Sequence, residues 1–269
     1  MPNAESRAPD AASLGLPALT PPPVRFDRLA LFLDMDGVLA PLAETPDAVG
    51  PVARRSAVLR RLDERLEGRL AIVSGRTLSE IDRISAAGPL AASGVHGLQR
   101  RRRDGSTVIA PASPGIAPAT RALRAFQDAH PEVIVEEKGV SVGLHYRQAP
   151  DIAEAALALA RSVAAEHGLS VQPGVMVVEL KTPGSDKGSA IAAFMAEPPF
   201  QGATPVMLGD DLTDENAFRA AAERGGFGVL VGPMRETLAS HGLDNVDSVL
   251  TWLEAVADGI DASAGEKAA

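Results

Sequence analysis

The sequence predicts an α/β fold: a parallel sheet covered by helices on both faces, interrupted by an inserted α+β segment. Two observations carry this. Short apolar runs alternate with amphipathic stretches in βαβα order over residues 28–97 and again over 184–257. Between them, from about 98 to 183, the signals change to short strands joined by turns, with a long Ala/Leu-rich helix.

Each element has a local reason. RLALFLD (28–34) reads as a buried strand. In residues 52–66, Val52, Leu59, Leu62 and Leu66 form one helical stripe, and Gly68 ends it. RLAIVS (69–74) is a second strand, and TLSE (77–80) opens a helix with a capping box in which Glu80 answers Thr77. A strand near 90–93 follows. In the insertion, Asp104-Gly105 is a turn between short strands, and residues 132–138 and 140–147 form a hairpin around Lys138-Gly139. Alternation puts Val140, Val142, Leu144 and Tyr146 on one face, and Ser141, Gly143, His145 and Arg147 on the other. A helix over 151–167 stops at Gly168, and VMVVELK (175–181) is a strand carrying Glu179 among valines. Helix 187–196, strand 205–209, a helix from Asp214, strand 226–231 and a helix near 247–257 complete the pattern. The expected division is a disordered Pro/Ala-rich leader (1–26), a core (27–97 and 184–258), an inserted cap (98–183) and a flexible tail (259–269).

Composition excludes several classes. At 269 residues and 45 % hydrophobic, the chain can bury a core without covalent staples. It has no cysteine, so disulfides, thiolate metal sites and cysteine nucleophiles are excluded, which fits a reducing cytoplasm. A net charge of −9 argues against general nucleic-acid binding. No apolar run approaches the roughly 20 residues that span a bilayer. The N-terminus lacks the basic start and apolar stretch of a secretory signal.

Chemistry concentrates where strands end. Asp34 and Asp36 close the first strand in DMDG, point to the same side, and repel each other unless a cation or a proton intervenes. D-x-D-G also occurs in plain turns and calcium loops, but the continuation VLAPLAETP lacks further calcium ligands. GDDLTDEN (209–216) ends another strand with Asp210 and Asp211, while Asp214 sits where a helix begins. Two strand ends with paired aspartates make an oxygen-only site that suits Mg²⁺. Ser74 in VSGR precedes a capped helix and could hold phosphate oxygens. Lys187 starts a helix, an unfavourable place for a cation unless anions lie beside it.

In order, DMDGV, VSGR, DKG and GDDLTDE resemble the four motifs of the haloacid-dehalogenase-like (HAD) phosphatases. LDMDGVLAPLAETPDAV, VSGRTLSEI, GVHGLQ, VEEKGVSVGLHYRQAP, VVELKTPGSDKGSAI and GDDLTDENAF narrow this to a resemblance to the trehalose-6-phosphate phosphatase family. It implies a Rossmann-like parallel-sheet core with an inserted α+β cap of the C2 type. It also implies hydrolysis of trehalose 6-phosphate to trehalose and phosphate, the last step of trehalose biosynthesis. By the same resemblance, Asp34 is the nucleophile and Asp36 the general acid and base, while Ser74 and Lys187 hold the phosphoryl group. Mg²⁺ would sit on Asp34, the Asp36 carbonyl and Asp210, with Asp211 and Asp214 in support. Glu136, Lys138, His145 and Glu179 would grip sugar hydroxyls. Arg76 would contact phosphate or sugar, or pair with nearby acids, and His96 would lie near the junction of core and cap.

Tyr146 and Arg147 are weaker candidates, and the run Arg100–Arg103 reads as a solvated face or hairpin edge. Val38, Asp186 and Gln99 depart from the family's usual residues without removing a catalytic group. A related capped phosphatase for sucrose 6-phosphate or a mannosyl phosphate is an alternative within enzymes. A silent sugar-phosphate-binding module is another, although such a protein should have lost Asp34 or Asp36. The expected partner is a small sugar phosphate, with no nucleic acid and no membrane, and any coupling to a trehalose-6-phosphate synthase would be intermolecular.

Overall fold

Strand β1 (Leu29–Leu33) is apolar and buried at every position because both of its faces are covered. In this computed structural model, which describes residues 18–43 and 45–266, α1 (Ala53–Arg65), β2 (Leu70–Val73), α2 (Leu78–Ser85) and β3 (Ala91–Gly94) follow. A hairpin, β4 (Gln99–Arg101) and β5 (Thr107–Ile109), leads into α3 (Ile116–Ala129). Next come β6 (Ile134–Glu137), β7 (Ser141–His145), α4 (Ala153–His167), β8 (Ser170–Gly174) and β9 (Val177–Lys181). The chain closes with α5 (Lys187–Met195), β10 (Thr204–Gly209), α6 (Glu215–Ala222), β11 (Phe227–Val231), β12 (His241–Leu243) and α7 (Val246–Glu266).

Among the described residues, eight strands form one sheet in the order β12-β11-β10-β1-β2-β3-β4-β5, parallel from β12 to β3 and antiparallel in the hairpin. The chain leaves β1 toward β2 and β3 and later returns on the other side as β10. This is a topological switch point, where the C-terminal ends of neighbouring strands leave a crevice. One face of the sheet packs Leu31 and Leu33 against Leu59 and Leu62 of α1 and Leu253 of α7. The other packs Phe32 against Phe194, Phe200 and Phe218. The second sheet is antiparallel, β6-β7-β9-β8, and buries Val135, Val142, Leu144, Tyr146, Val178 and Leu180 under α3 and α4. Because side chains alternate, Glu136, His145 and Glu179 stand on its other face.

Several expectations need correction. The hairpin at 99–109, assigned to the insertion, extends the first sheet beyond β3. Its arginines lie on the hairpin and are paired, not merely solvated, though Arg103 stays exposed: Arg100 and Arg102 pair with Glu197, Arg101 with Asp82 and Arg103 with Asp63. These contacts fasten the hairpin to α1, to α2 and to the turn that follows α5. Val52 leaves the helical stripe because it stands at the N-cap, 48 % exposed. Arg55 is buried instead and donates to the carbonyls of Leu39, Gly50 and Ile84. The expected disordered leader is packed over 18–26: Thr20 bridges to His241, and the Trp252 indole donates to the Pro22 and Pro23 carbonyls. The remainder of that leader, 1–17, lies outside the described residues. Helix α7 continues to Glu266 rather than ending near 257, and residues 267–269 of the expected tail lie outside the described residues. Among the described residues, no helix is long and apolar enough to cross a membrane.

Candidate active site

Neighbouring strand ends deliver the polar groups to the switch point. β1 stops at Leu33 and presents Asp34, β2 presents Ser74, and β10 presents Asp210, while Lys187 is the first residue of α5. Lys187 is 2 % exposed, and its Nζ donates to Asp34 Oδ2 and Asp214 Oδ1 at 2.6 Å each. The other Asp214 oxygen, Oδ2, accepts from the backbone N–H groups of Asp210 (3.0 Å) and Asp211 (3.1 Å). Asp214 therefore shapes the loop and balances the lysine, whereas Asp211 caps the next turn through Leu212 N.

Asp34, Asp210 and Asp214 bring carboxylate oxygens within 4.8 Å of one another. When all three are ionised, these carboxylates, of which Asp34 and Asp214 are buried and Asp210 half-buried, exceed the one ammonium by two negative charges. Burial pushes the Asp34 carboxyl well up, Lys187 partly offsets this, and Asp214 and Asp210 add to it. Asp210 is pushed up to about 7 by burial and by Asp214. Burial opposes the charged form of Lys187, but Asp214 and Asp34 outweigh it and hold the amine protonated. Hard oxygen donors with unbalanced negative charge fit a divalent cation. Gly37 makes this packing possible: its φ is +75°, and a Cβ there would stand 2.1 Å from Asp210 Oδ2. Of the three carboxylates, Asp34 and Asp210 border the open cleft and Asp214 does not, so those two are placed to face a cation. The Asp36 side chain lies apart from this cluster, gripped by Arg76 at 2.8 and 2.9 Å, so its backbone carbonyl is the atom it could offer.

The open face of the second sheet carries its own charge network. Glu136 Oε2 is 2.8 Å from His145 Nε2 and 3.5 Å from Lys138 Nζ. Lys138 also donates to Glu179 Oε2 (3.0 Å) and, across to the core, to the Gly75 carbonyl (2.9 Å). Burial alone would raise the Glu179 pKa, yet Lys138 and His96 hold it far below the carboxylate range. His96 Nε2 lies 3.7 Å from the same Glu179 oxygen, and burial lowers the imidazole pKa. Gly75 leaves room for that ring, since a Cβ there would be 2.6 Å from Nε2.

Both groups line one open-mouthed cleft. Asp34, Asp36, Ser74, Lys187 and Asp210 border one part of it, and Glu136, Lys138, His145 and Glu179 another. Arg76, His96, Asp211 and Arg147 also reach this cleft, whereas Tyr146 is buried beneath the second sheet. Sequence reasoning missed Gln172, opposite Glu179 on β8, because Pro173-Gly174 reads as a turn rather than a strand. It also missed Arg235, whose Nη2 donates to the Asp211 carbonyl at 2.8 Å and whose guanidinium pairs with Glu215. The three departures from the family pattern are structural. Val38 is buried, Gln99 accepts from Leu78 N, and Asp186 caps α5 while accepting from Asn216.

The family model described as trehalose-phosphatase matches residues 32–246. The trehalose-6-phosphate phosphatase of Escherichia coli K12 is 39 % identical over 240 residues, covering 88 % of this chain and 90 % of its own. A probable trehalose-phosphate phosphatase from Sinorhizobium fredii is 37 % identical over 244 residues, covering 88 % and 89 %. The crystal structure of a trehalose-6-phosphate phosphatase related protein superimposes with a TM-score of 0.73 at 26 % identity, over 86 % of this chain and 97 % of that one. An aspartate-rich switch point roofed by a polar sheet thus recurs with a matching family model over most of the chain, and this phosphatase belongs to the trehalose-phosphatase family.

Proposed function

We propose that the enzyme hydrolyses trehalose 6-phosphate to trehalose and phosphate through a phosphoryl group carried on Asp34. One observation carries the reading: Asp34, Lys187 and Asp210 share a single cleft with the Glu136, His145, Lys138 and Glu179 cluster of the second sheet. The first set suits a phosphate, and the second suits sugar hydroxyls. In this reading the second sheet with α3 and α4 acts as the cap, and the 99–109 hairpin stays with the core.

Asp34 attacks phosphorus, the bond from phosphorus to the sugar oxygen breaks, and Asp36 gives that oxygen its proton. A water molecule then attacks the aspartyl phosphate, Asp36 takes the water's proton, and Asp34 is restored with release of phosphate. Ser74 and Lys187 hold phosphoryl oxygens throughout, and Asp214 keeps Lys187 charged and in place. Asp34 and Asp210 would hold Mg²⁺, which when bound supplies charge neutralisation between the aspartate and the phosphate dianion. Charged groups in the cap reject a substrate that leaves them unpaired, which is how the second glucose unit would be sensed.

Phosphate release should be measured on trehalose 6-phosphate, sucrose 6-phosphate and glucose 6-phosphate, with and without Mg²⁺. Fast release from trehalose 6-phosphate alone, lost on chelation, is expected. Equal rates on trehalose and glucose 6-phosphates would sink the specificity, and undiminished activity after chelation would sink the metal.

A further inference from the structure

Arg76 reaches the cleft from the turn after β2, where an arginine is an obvious candidate to touch phosphate. Its guanidinium is committed elsewhere. Nε donates to Asp36 Oδ2 at 2.9 Å and Nη2 to Asp36 Oδ1 at 2.8 Å, so one planar fork grips both oxygens of one carboxylate. Such a bidentate pair fixes the plane of the carboxylate as well as its position. Nη1 donates to Glu80 Oε1 at 3.0 Å, and Glu80 cannot follow a moving arginine. Its Oε2 accepts from Thr77 N (3.0 Å) and Thr77 Oγ1 (2.8 Å) in the capping box that starts α2. The backbone of Arg76 is tied as well, its N–H to Ser74 Oγ and its carbonyl to Val95 N. The residue is 9 % exposed.

We propose that Arg76 is a positioning residue, which aims the Asp36 carboxyl group at the leaving sugar oxygen and is itself held by Glu80. The inference rests on the reading of Asp36 as the proton-transfer group. When the bond from phosphorus to the sugar oxygen breaks, one Asp36 oxygen passes its proton to that sugar oxygen. The oxygen that carries the proton still has a lone pair for Arg76, so both bonds of the fork persist and the carboxyl plane is preserved for the return step with water. The line from Asp36 through Arg76 and Glu80 to the N-terminus of α2 makes a rigid helix, not a loop, the reference for the proton's direction.

A structural arginine and an aiming arginine differ in one measurable respect. Proton delivery matters for a sugar alkoxide and hardly at all for p-nitrophenolate, which leaves unprotonated. The test compares kcat and KM on trehalose 6-phosphate and on p-nitrophenyl phosphate for Arg76→Lys, Glu80→Gln and Asp36→Asn. Glutamine keeps the capping box, so Glu80→Gln weakens only the hold on Arg76. Arg76→Lys keeps the charge and loses the fork. It should lower kcat on the sugar phosphate about tenfold or more beyond its effect on the aryl phosphate, with KM little changed. Glu80→Gln should show the same selectivity more weakly. Equal losses on both substrates, or a raised KM with unchanged kcat, would overturn the inference and make Arg76 a structural or substrate-binding group. If Asp36→Asn itself shows no such selectivity, the acid role of Asp36 fails, and the inference falls with it.

Discussion

Asp34 is aimed by the strand before any charge holds it: its backbone N–H donates to Leu208 O on β10, and its Oδ1 accepts from Met35 N. Lys187 then fixes the second oxygen. Asp34→Asn should therefore keep the fold and lower kcat on the order of 10³-fold or more, checked by circular dichroism beside phosphate release. Near-normal turnover would remove Asp34 as the nucleophile. In the cap, Glu136→Ala or Glu179→Ala should harm trehalose 6-phosphate turnover far more than that of p-nitrophenyl phosphate, because the aryl phosphate has no hydroxyls to lose. Parallel losses would make both residues structural. Glu179 also gives a pH prediction with a definite sign. Its folded pKa is depressed, so its stabilisation is full above the ordinary value of 4.5 and is lost as pH falls through the folded value. Glu179→Gln should thus melt on the order of several degrees below wild type near pH 7, with the gap narrowing below pH 4.5. A gap that widens in acid would contradict the pairing with Lys138.

At the scale of elements, α1 shows how a polar side chain can hold a fold together. Arg55 is buried and supplies hydrogen bonds to carbonyls in the loop after β1 and at the end of α2. Arg55→Met would keep the volume and orphan these acceptors, costing about 2–4 kcal/mol in a denaturant titration. A change below about 0.5 kcal/mol would show that water replaces the guanidinium. The strands that build the site were legible because burial on both faces leaves little choice of residue type, as in LALFL and VMLG. The capping box at Thr77 and the αL stop at Gly168 were legible because each is a local hydrogen-bond problem with few solutions. Arg55 was not, since a periodicity reading counts apolar residues and passes over an arginine whose partners lie elsewhere in the chain. The hairpin at 99–109 is legible as a turn between short strands, but not its place at the edge of the first sheet. Turn chemistry specifies the hairpin itself, whereas long-range pairing with β3 and the Glu197, Asp82 and Asp63 carboxylates decides where it docks. Asp34 and Asp210 stand out by position at strand ends and Lys187 by its place at a helix start; their separate roles are legible only through the family resemblance, and the division of labour between Asp210 and Asp214 needs the contact geometry.

For the whole molecule, two connections matter: the cleft shared by both sheets, and the N-terminal segment that straps β12 to α7. The chain's single tryptophan, Trp252, is 5 % exposed and donates to the carbonyls of Pro22 and Pro23. Removing residues 1–23 should lower the melting temperature and shift the Trp252 emission to the red. An unchanged spectrum would mean that the strap is dispensable. The central claim, that the β1 edge receives a phosphoryl group from a sugar, has a direct measurement. The enzyme is mixed with trehalose 6-phosphate and Mg²⁺ for less than one turnover, quenched in acid, digested and analysed by mass spectrometry. The predicted result is a phosphoryl group on the peptide containing Asp34, appearing and decaying with turnover and absent from Asp34→Asn. Phosphate release with no protein-bound phosphoryl group, or with the group on another residue, would contradict it.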